Sequence, residues 1–119
     1  MGRSTRRGGR GGGGDSLATM LVAFSISPMS NDPSGSVTAA VAEAVRVVRA
    51  SGLPHETTSM FTTVEGEWDE VMDVVKQAVE VVAEVSPRVG LVLKADIRPG
   101  YTGQLTAKVE RIEQALGEA

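Results

Sequence analysis

The sequence predicts an α+β fold in the order β-α-β-β-α-β-α, and three observations carry the prediction. Two stretches, Leu21 to Ser27 and Arg88 to Ile97, alternate in polarity along the chain, as half-buried strands do. Three stretches repeat apolar residues at spacings of three and four, the period of an amphipathic helix. Between the first two helical stretches lies His55 to Glu65, rich in threonine and without helical period, which reads as a pair of short strands. Right-handed crossovers place the helices that follow the first and third strands on one face of an antiparallel sheet. The result is a ferredoxin-like βαββαβ sandwich with an additional C-terminal helix.

The first strand has Val22, Phe24 and Ile26 on a greasy face and Ala23, Ser25 and Ser27 on a small, hydroxyl-bearing one. Pro28 ends it, and Ser30 to Gly35 has the composition of a loop. Ser36 is placed to cap the next helix, whose buried stripe is Val37, Ala40, Val41, Ala44 and Val48. Ser51-Gly52 stops that helix and Pro54 confirms the stop. The hairpin of His55 to Glu65 turns near Ser59 to Phe61.

Gly66 joins the hairpin to the central helix, at a junction where the backbone is expected to need angles that a side chain forbids. The central helix opens with Glu67, Asp69 and Glu70, carboxylates suited to the positive end of a helix dipole. Its apolar stripe is Trp68, Val71, Met72, Val75, Ala78, Val79, Val82 and Val85, and Ser86-Pro87 breaks it. In the last strand Val89, Leu91, Leu93, Ala95 and Ile97 share the apolar face, with Lys94 and Asp96 opposite. Leu105, Val109, Ile112 and Leu116 mark the final helix.

Composition divides the chain in two. Residues 1–19 hold seven of the fourteen glycines, and Arg3, Arg6, Arg7 and Arg10 against Asp15, a net of +3. Such a segment buries too little to offset its conformational entropy and is expected to be a disordered Gly/Arg-rich tail. Residues 20–119 carry eight Lys/Arg and fourteen Asp/Glu, a net of −6, which completes the −3 of the whole chain. This second part suits one ligand-binding domain with one core. An acidic domain is a poor general ligand for phosphate backbones and a fair one for small cations. Arg6-Arg7-Gly8-Gly9-Arg10-Gly11 leaves one nucleic-acid alternative open, an RNA-associated role for the tail.

The chain has no cysteine and one histidine, which excludes disulfides, thiol catalysis and multi-histidine metal sites. No nucleophile motif accompanies His55, and no Gly-rich phosphate motif follows a strand. The acidic cluster Glu65, Glu67, Asp69, Glu70 and Asp73 lacks calcium-loop spacing and reads as the start and outer face of a helix. No apolar run has membrane-spanning length, and no apolar signal core follows the basic residues, so a cytoplasmic protein is expected. What remains is a set of hydroxyls: Ser25, Ser27, Thr57, Thr58, Ser59, Thr62 and Thr63, on strands expected to be neighbours. Hydroxyls donate and accept, which suits a heteroaromatic ligand, although threonine also simply favours strands.

The pieces Phe24-Ser25-Ile26-Ser27-Pro28, Ser51-Gly52-Leu53, Thr62 through Met72 and Arg88 through Arg98 resemble the small thiamine-binding protein family. The block Glu65-Gly66-Glu67-Trp68-Asp69-Glu70-Val71-Met72 is the most specific, and the likeness runs from about Met20 to Leu116. It implies a ferredoxin-like domain assembled as a dimer of dimers, a homotetramer, that binds thiamine or the related hydroxymethylpyrimidine without catalysis, cofactor or metal. With the strand faces it implies a site drawn from Ser25, Ser27, Thr58, Thr62, Thr63, Lys94 and Asp96. Asp96 would accept from the exocyclic amine or offset the thiazolium charge, and Lys94 would pair with Asp96 or with a neighbouring subunit. Two residues depart from the family pattern: His55, where an aromatic residue is expected, and Phe61, where glycine is. A structural oligomer without ligand is the third reading.

Removing residues 1–19 is expected to leave stability and oligomeric state unchanged, because the segment has little to bury. A thermal midpoint lowered by more than a few degrees would show instead that it docks on the domain.

Overall fold

The computed structural model describes residues 19–29 and 37–117. The elements are β1 (Met20–Pro28), α1 (Thr38–Ala50), β2 (His55–Thr57), β3 (Thr62–Gly66), α2 (Trp68–Ala83), β4 (Val89–Ile97) and α3 (Gln104–Gly117). The four strands form one antiparallel sheet in the order β2-β3-β1-β4. This is the ferredoxin-like arrangement with a C-terminal helix, as the sequence predicts. The tail and the loop centred on Ser30 to Gly35, with the cap assigned to Ser36, lie outside the described residues.

Alternation along β1 builds the core. Met20, Val22 and Phe24 are buried, and Ile26 packs at their margin. Register carries the same face across the sheet, because Val22 stands opposite both Val64 and Ala95, and Phe24 opposite both Thr62 and Leu93. Onto that face α1 sets Ala44 and Val48, and α2 sets Val71, Val74, Val75, Ala78 and Val82. Among the described residues the largest fully buried side chains are Val22, Val48, Val64, Val71 and Val82. A core of short, stiff side chains holds sheet and helices close, and each buried valine contributes about 1.5–3 kcal/mol.

The stripe of α2 differs from the sequence reading at three positions. Val74 is buried, while Trp68 is half-exposed and Val85 is exposed. Trp68 opens the helix, and Val85 lies beyond its end at Ala83, so neither has sheet beneath it to complete a burial.

Gly66 also needs correction. Its φ is not positive. A Cβ there would instead lie 3.1 Å from Val71 Cγ2 and 3.3 Å from Leu53 Cδ1. The glycine is needed for close approach, because β3 hands over to α2 within two residues and Val71 folds back onto the strand end. Glu67 caps the helix with an extended backbone, and its amide donates to Glu70 Oε1 at 3.2 Å. Gly52, with φ of 79°, does adopt the left-handed conformation expected after α1.

Gly66→Ala is therefore expected to destabilise by overpacking, by about 1–3 kcal/mol in denaturant unfolding. An unchanged unfolding midpoint would show that Val71 and Leu53 can yield.

Candidate functional site

Among the described residues, three of the concavities around the sheet are each built differently. The first lies where the β2–β3 turn meets α1. Phe24, Val41, Val48 and Phe61 give it apolar walls, Thr57, Thr58, Ser59 and Thr62 bring hydroxyls, and Ser25 borders it; its volume is about 190 Å³. The turn at its rim is fixed internally. Thr58 N–H donates to the Phe61 carbonyl at 2.9 Å, and Thr58 Oγ1 donates to the same oxygen at 3.1 Å while accepting from Phe61 N–H at 3.3 Å. No acidic or basic side chain lines this cleft.

The second concavity, of about 160 Å³, is on the opposite face of the sheet, under the start of α3. Glu65, Asp96, Arg98, Tyr101, Gln104 and Lys108 contribute to it. Glu65 is buried, and its carboxylate accepts from the backbone amides of Gln104 at 2.9 Å and Leu105 at 3.2 Å. It thus satisfies two of the amides that a helix start leaves open, with its negative charge at the positive end of the dipole. Glu65 therefore does not belong to the α2 start, where the sequence reading put it. Strand alternation sends it to the face of Thr63, away from α2.

Asp96 accepts a hydrogen bond from Lys108 of α3. That bond holds its carboxyl below the usual carboxylate range, against the cost of desolvation and with help from the charges of Lys108, Arg98 and Lys94. The Arg98 guanidinium lies 3.6 Å from the centre of the Tyr101 ring.

The third concavity is a groove of about 370 Å³ between β2 and α3, lined by His55, Glu56, Leu105, Thr106, Val109 and Glu110. His55 Nδ1 lies 2.9 Å from the Leu53 carbonyl, which requires the proton to sit on Nδ1.

The seven residues singled out from the sequence are thereby divided. Ser25, Thr58 and Thr62 share the hydroxyl-lined cleft. Thr63 and Lys94 stand opposite the same residue, Ala23, on the other sheet face, and Ser27 and Asp96 belong to that face too. The apolar walls of the cleft were not foreseen. Phe24 and Val48 look like ordinary core positions, and only the approach of the turn to α1 makes them a wall. Among the described residues no group of three His, Asp or Glu side chains is arranged to hold a metal ion, and no helix is long and apolar enough to cross a membrane.

A family model described as thiamine-binding protein matches residues 22–113. The UPF0045 protein Mb1933 of Mycobacterium bovis is 50% identical over 100 residues, covering 82% of this chain and 95% of its own. The hypothetical protein MJ1052 of Methanocaldococcus jannascii superposes with a TM-score of 0.73 at 29% identity, over 82% of this chain and 98% of its own. A Thermotoga maritima protein, TM0486, proposed to act in thiamine biosynthesis or salvage, gives 0.65 at 25% identity, over 77% of this chain and 98% of its own.

Two outcomes test the α3 clasp. Glu65→Ala strips two helix-start amides of their acceptor, so it is expected to cost about 1–3 kcal/mol and to speed amide exchange across residues 104–117. Asp96 has a depressed carboxyl, so its contribution is present above the unfolded value and is lost as pH falls through the folded one. The pair is half-exposed, at 46% for Lys108 and 44% for Asp96, and contributes about 0–1 kcal/mol. Acid titration followed by NMR is expected to give Asp96 a midpoint below that of a free aspartate, and Lys108→Met to raise it.

Proposed function

The chain belongs to the thiamine-binding protein family, and we propose that it binds thiamine or hydroxymethylpyrimidine, without transforming it, as a homotetramer. The observation that carries the reading is the uncharged cleft with hydroxyls at its edge and aromatic walls. An aminopyrimidine is flat, and it carries ring acceptors beside an amine donor. Flat apolar walls suit its faces, and hydroxyls, which both donate and accept, suit its edge. Pockets for drug-sized ligands run to about 300–1,000 Å³. At about 190 Å³ the cleft suits one ring. The thiazolium of thiamine would then extend outward, toward the acidic surface of a domain whose residues 20–119 carry a net charge of −6.

We assign the pyrimidine contacts to Thr58 and Thr62, and Ser25, whose side chain alternates to the open face, borders the cleft through its backbone. Ser27, Thr63, Lys94 and Asp96 sit on the open sheet face, and in this reading they meet a ligand only through a facing copy of the chain. The support for assembly is that face itself, where Ala23, Ser25 and Ser27 are small enough to let a second sheet approach. Phe61, where the family pattern has glycine, narrows the mouth of the cleft.

Titration calorimetry with thiamine and with hydroxymethylpyrimidine is expected to show saturable binding to the oligomer. Thr62→Val keeps the shape and removes one hydroxyl; the loss of one neutral hydrogen bond weakens affinity by about two- to tenfold. An absence of heat with both ligands would sink the reading. Unchanged affinity in Thr62→Val would move the contacts away from the cleft.

A further inference from the structure

β1 outruns its neighbour on one side. It pairs with β4 along its whole length, from Met20↔Ile97 to Pro28↔Val89, but with β3 only from Met20↔Gly66 to Phe24↔Thr62. Beyond Phe24 the β3 side of the strand is therefore unpaired. Ser25 and Ile26, in this stretch, border the hydroxyl-lined cleft.

Hydrogen-bond phase decides which backbone groups open into that gap. Bonded and non-bonded pairs alternate in an antiparallel ladder. Met29 N–H donates to the Arg88 carbonyl at 3.0 Å, at the next position of the β1–β4 ladder beyond Pro28↔Val89. Ala23, Ser25 and Ser27 therefore turn their amides and carbonyls toward β4, and Phe24 and Ile26 turn theirs the other way. The hairpin agrees. Glu65 N–H donates to the Pro54 carbonyl at 2.9 Å, so Glu65 and Thr63 bond to the β2 side and Thr62 bonds to Phe24. In that register the next bonded partner, that of Ile26, would be Met60. Met60 instead sits at the tip of the β2–β3 turn, 73% exposed, where Thr58 N–H closes on the Phe61 carbonyl. Among the described residues no backbone group pairs with the Ile26 amide or carbonyl on this side. Pro28, the next residue of the same phase, has no N–H. Within the gap, then, Ile26 is the residue that offers a donor and an acceptor together.

We infer that Ile26 holds the ligand's ring through its main chain, its N–H donating to a ring nitrogen and its C=O accepting from the amine beside that nitrogen. The aminopyrimidine then takes the place of the strand residue that the turn withdraws. This rests on the reading that the cleft holds the pyrimidine, and it names the edge by which the ring is held. The N–H and C=O of one extended residue lie side by side, as they do toward a partner strand. An acceptor and a donor on neighbouring atoms of a flat ring answer both. Val41 and Val45 of α1 line the same cleft and suit the face of such a ring. A ring that expels water from the gap without bonding these groups leaves a backbone donor and acceptor unsatisfied, at a cost in free energy. The gap therefore selects heterocycles with an acceptor next to an N–H donor, and discriminates against apolar rings of the same size.

NMR on the full chain tests this, with 4-amino-2-methylpyrimidine as the probe and the same ring carrying a methyl in place of the amine as its control. The amino probe is expected to move the Ile26 amide proton downfield and to slow its exchange with solvent. The amides of Ser25 and Ser27, which bond to β4, are expected to keep their exchange rates. With nitrogen-15 in the ring, a scalar coupling is expected across the hydrogen bond from Ile26. The control is expected to bind at least about fivefold more weakly, because it leaves the Ile26 carbonyl unbonded. Binding of thiamine or of the amino probe with Ile26 exchange unchanged overturns main-chain recognition, and leaves the cleft reading standing where Thr58 and Thr62 respond. Equal affinity for probe and control also overturns it. An absence of binding by the probe and by thiamine alike overturns both readings.

Discussion

Everything in this fold depends on β1 being paired on both sides. A strand flanked by two antiparallel neighbours has no free choice of face or hydrogen-bond phase. Met20, Val22 and Phe24 face the helices, so Leu21, Ala23 and Ser25 face away. The neighbours inherit that division through register: Val64 and Ala95 opposite Val22, Thr63 and Lys94 opposite Ala23. A slip of one residue in either pairing would send the buried valines to the open face. The same phase decides which backbone groups of β4 are satisfied and which are left at its outer edge.

The consequence for chemistry is a separation of neutral from charged surroundings. On the helix side, the cleft beside the β2–β3 turn is bounded by hydroxyls and hydrocarbon. On the other side the carboxylates of Glu65 and Asp96 are already engaged, one by the amides that begin α3 and the other by Lys108. A carboxylate bonded in this way has less to offer a cation than its position in the sequence suggests. The acidic character of the domain therefore acts on a ligand chiefly as a field, which falls off within about 10 Å at ordinary ionic strength.

The hydrogen bonds from Glu65 and Asp96 reach α3 near its beginning. Glu65 and Asp96 hold its first turns, while Val109, Ile112 and Leu116 are all more than half exposed. Together with the outer edge of β4 and the small residues of the open face, this leaves apolar surface that one copy of the chain does not cover.

Much of this was legible in the sequence because it depends on local period. Alternation in Leu21 to Ser27 and Val89 to Ile97 gave the outer faces of two strands, and the valine spacing of residues 71–82 gave the buried stripe of α2. The threonines of the hairpin and Gly52 marked their turns by residue type alone. Tertiary structure decided what depends on the meeting of distant segments. Gly66 is required by the approach of Val71 and Leu53, not by its own backbone angles. Glu65 sits in sequence beside the carboxylates of α2, yet strand alternation carries it to the opposite face, 39 residues from the Gln104 amide it accepts. Asp96 found its partner in Lys108, a turn into a helix whose path no local pattern specifies. Period fixes which way a side chain points, and only the packed chain fixes what it meets there.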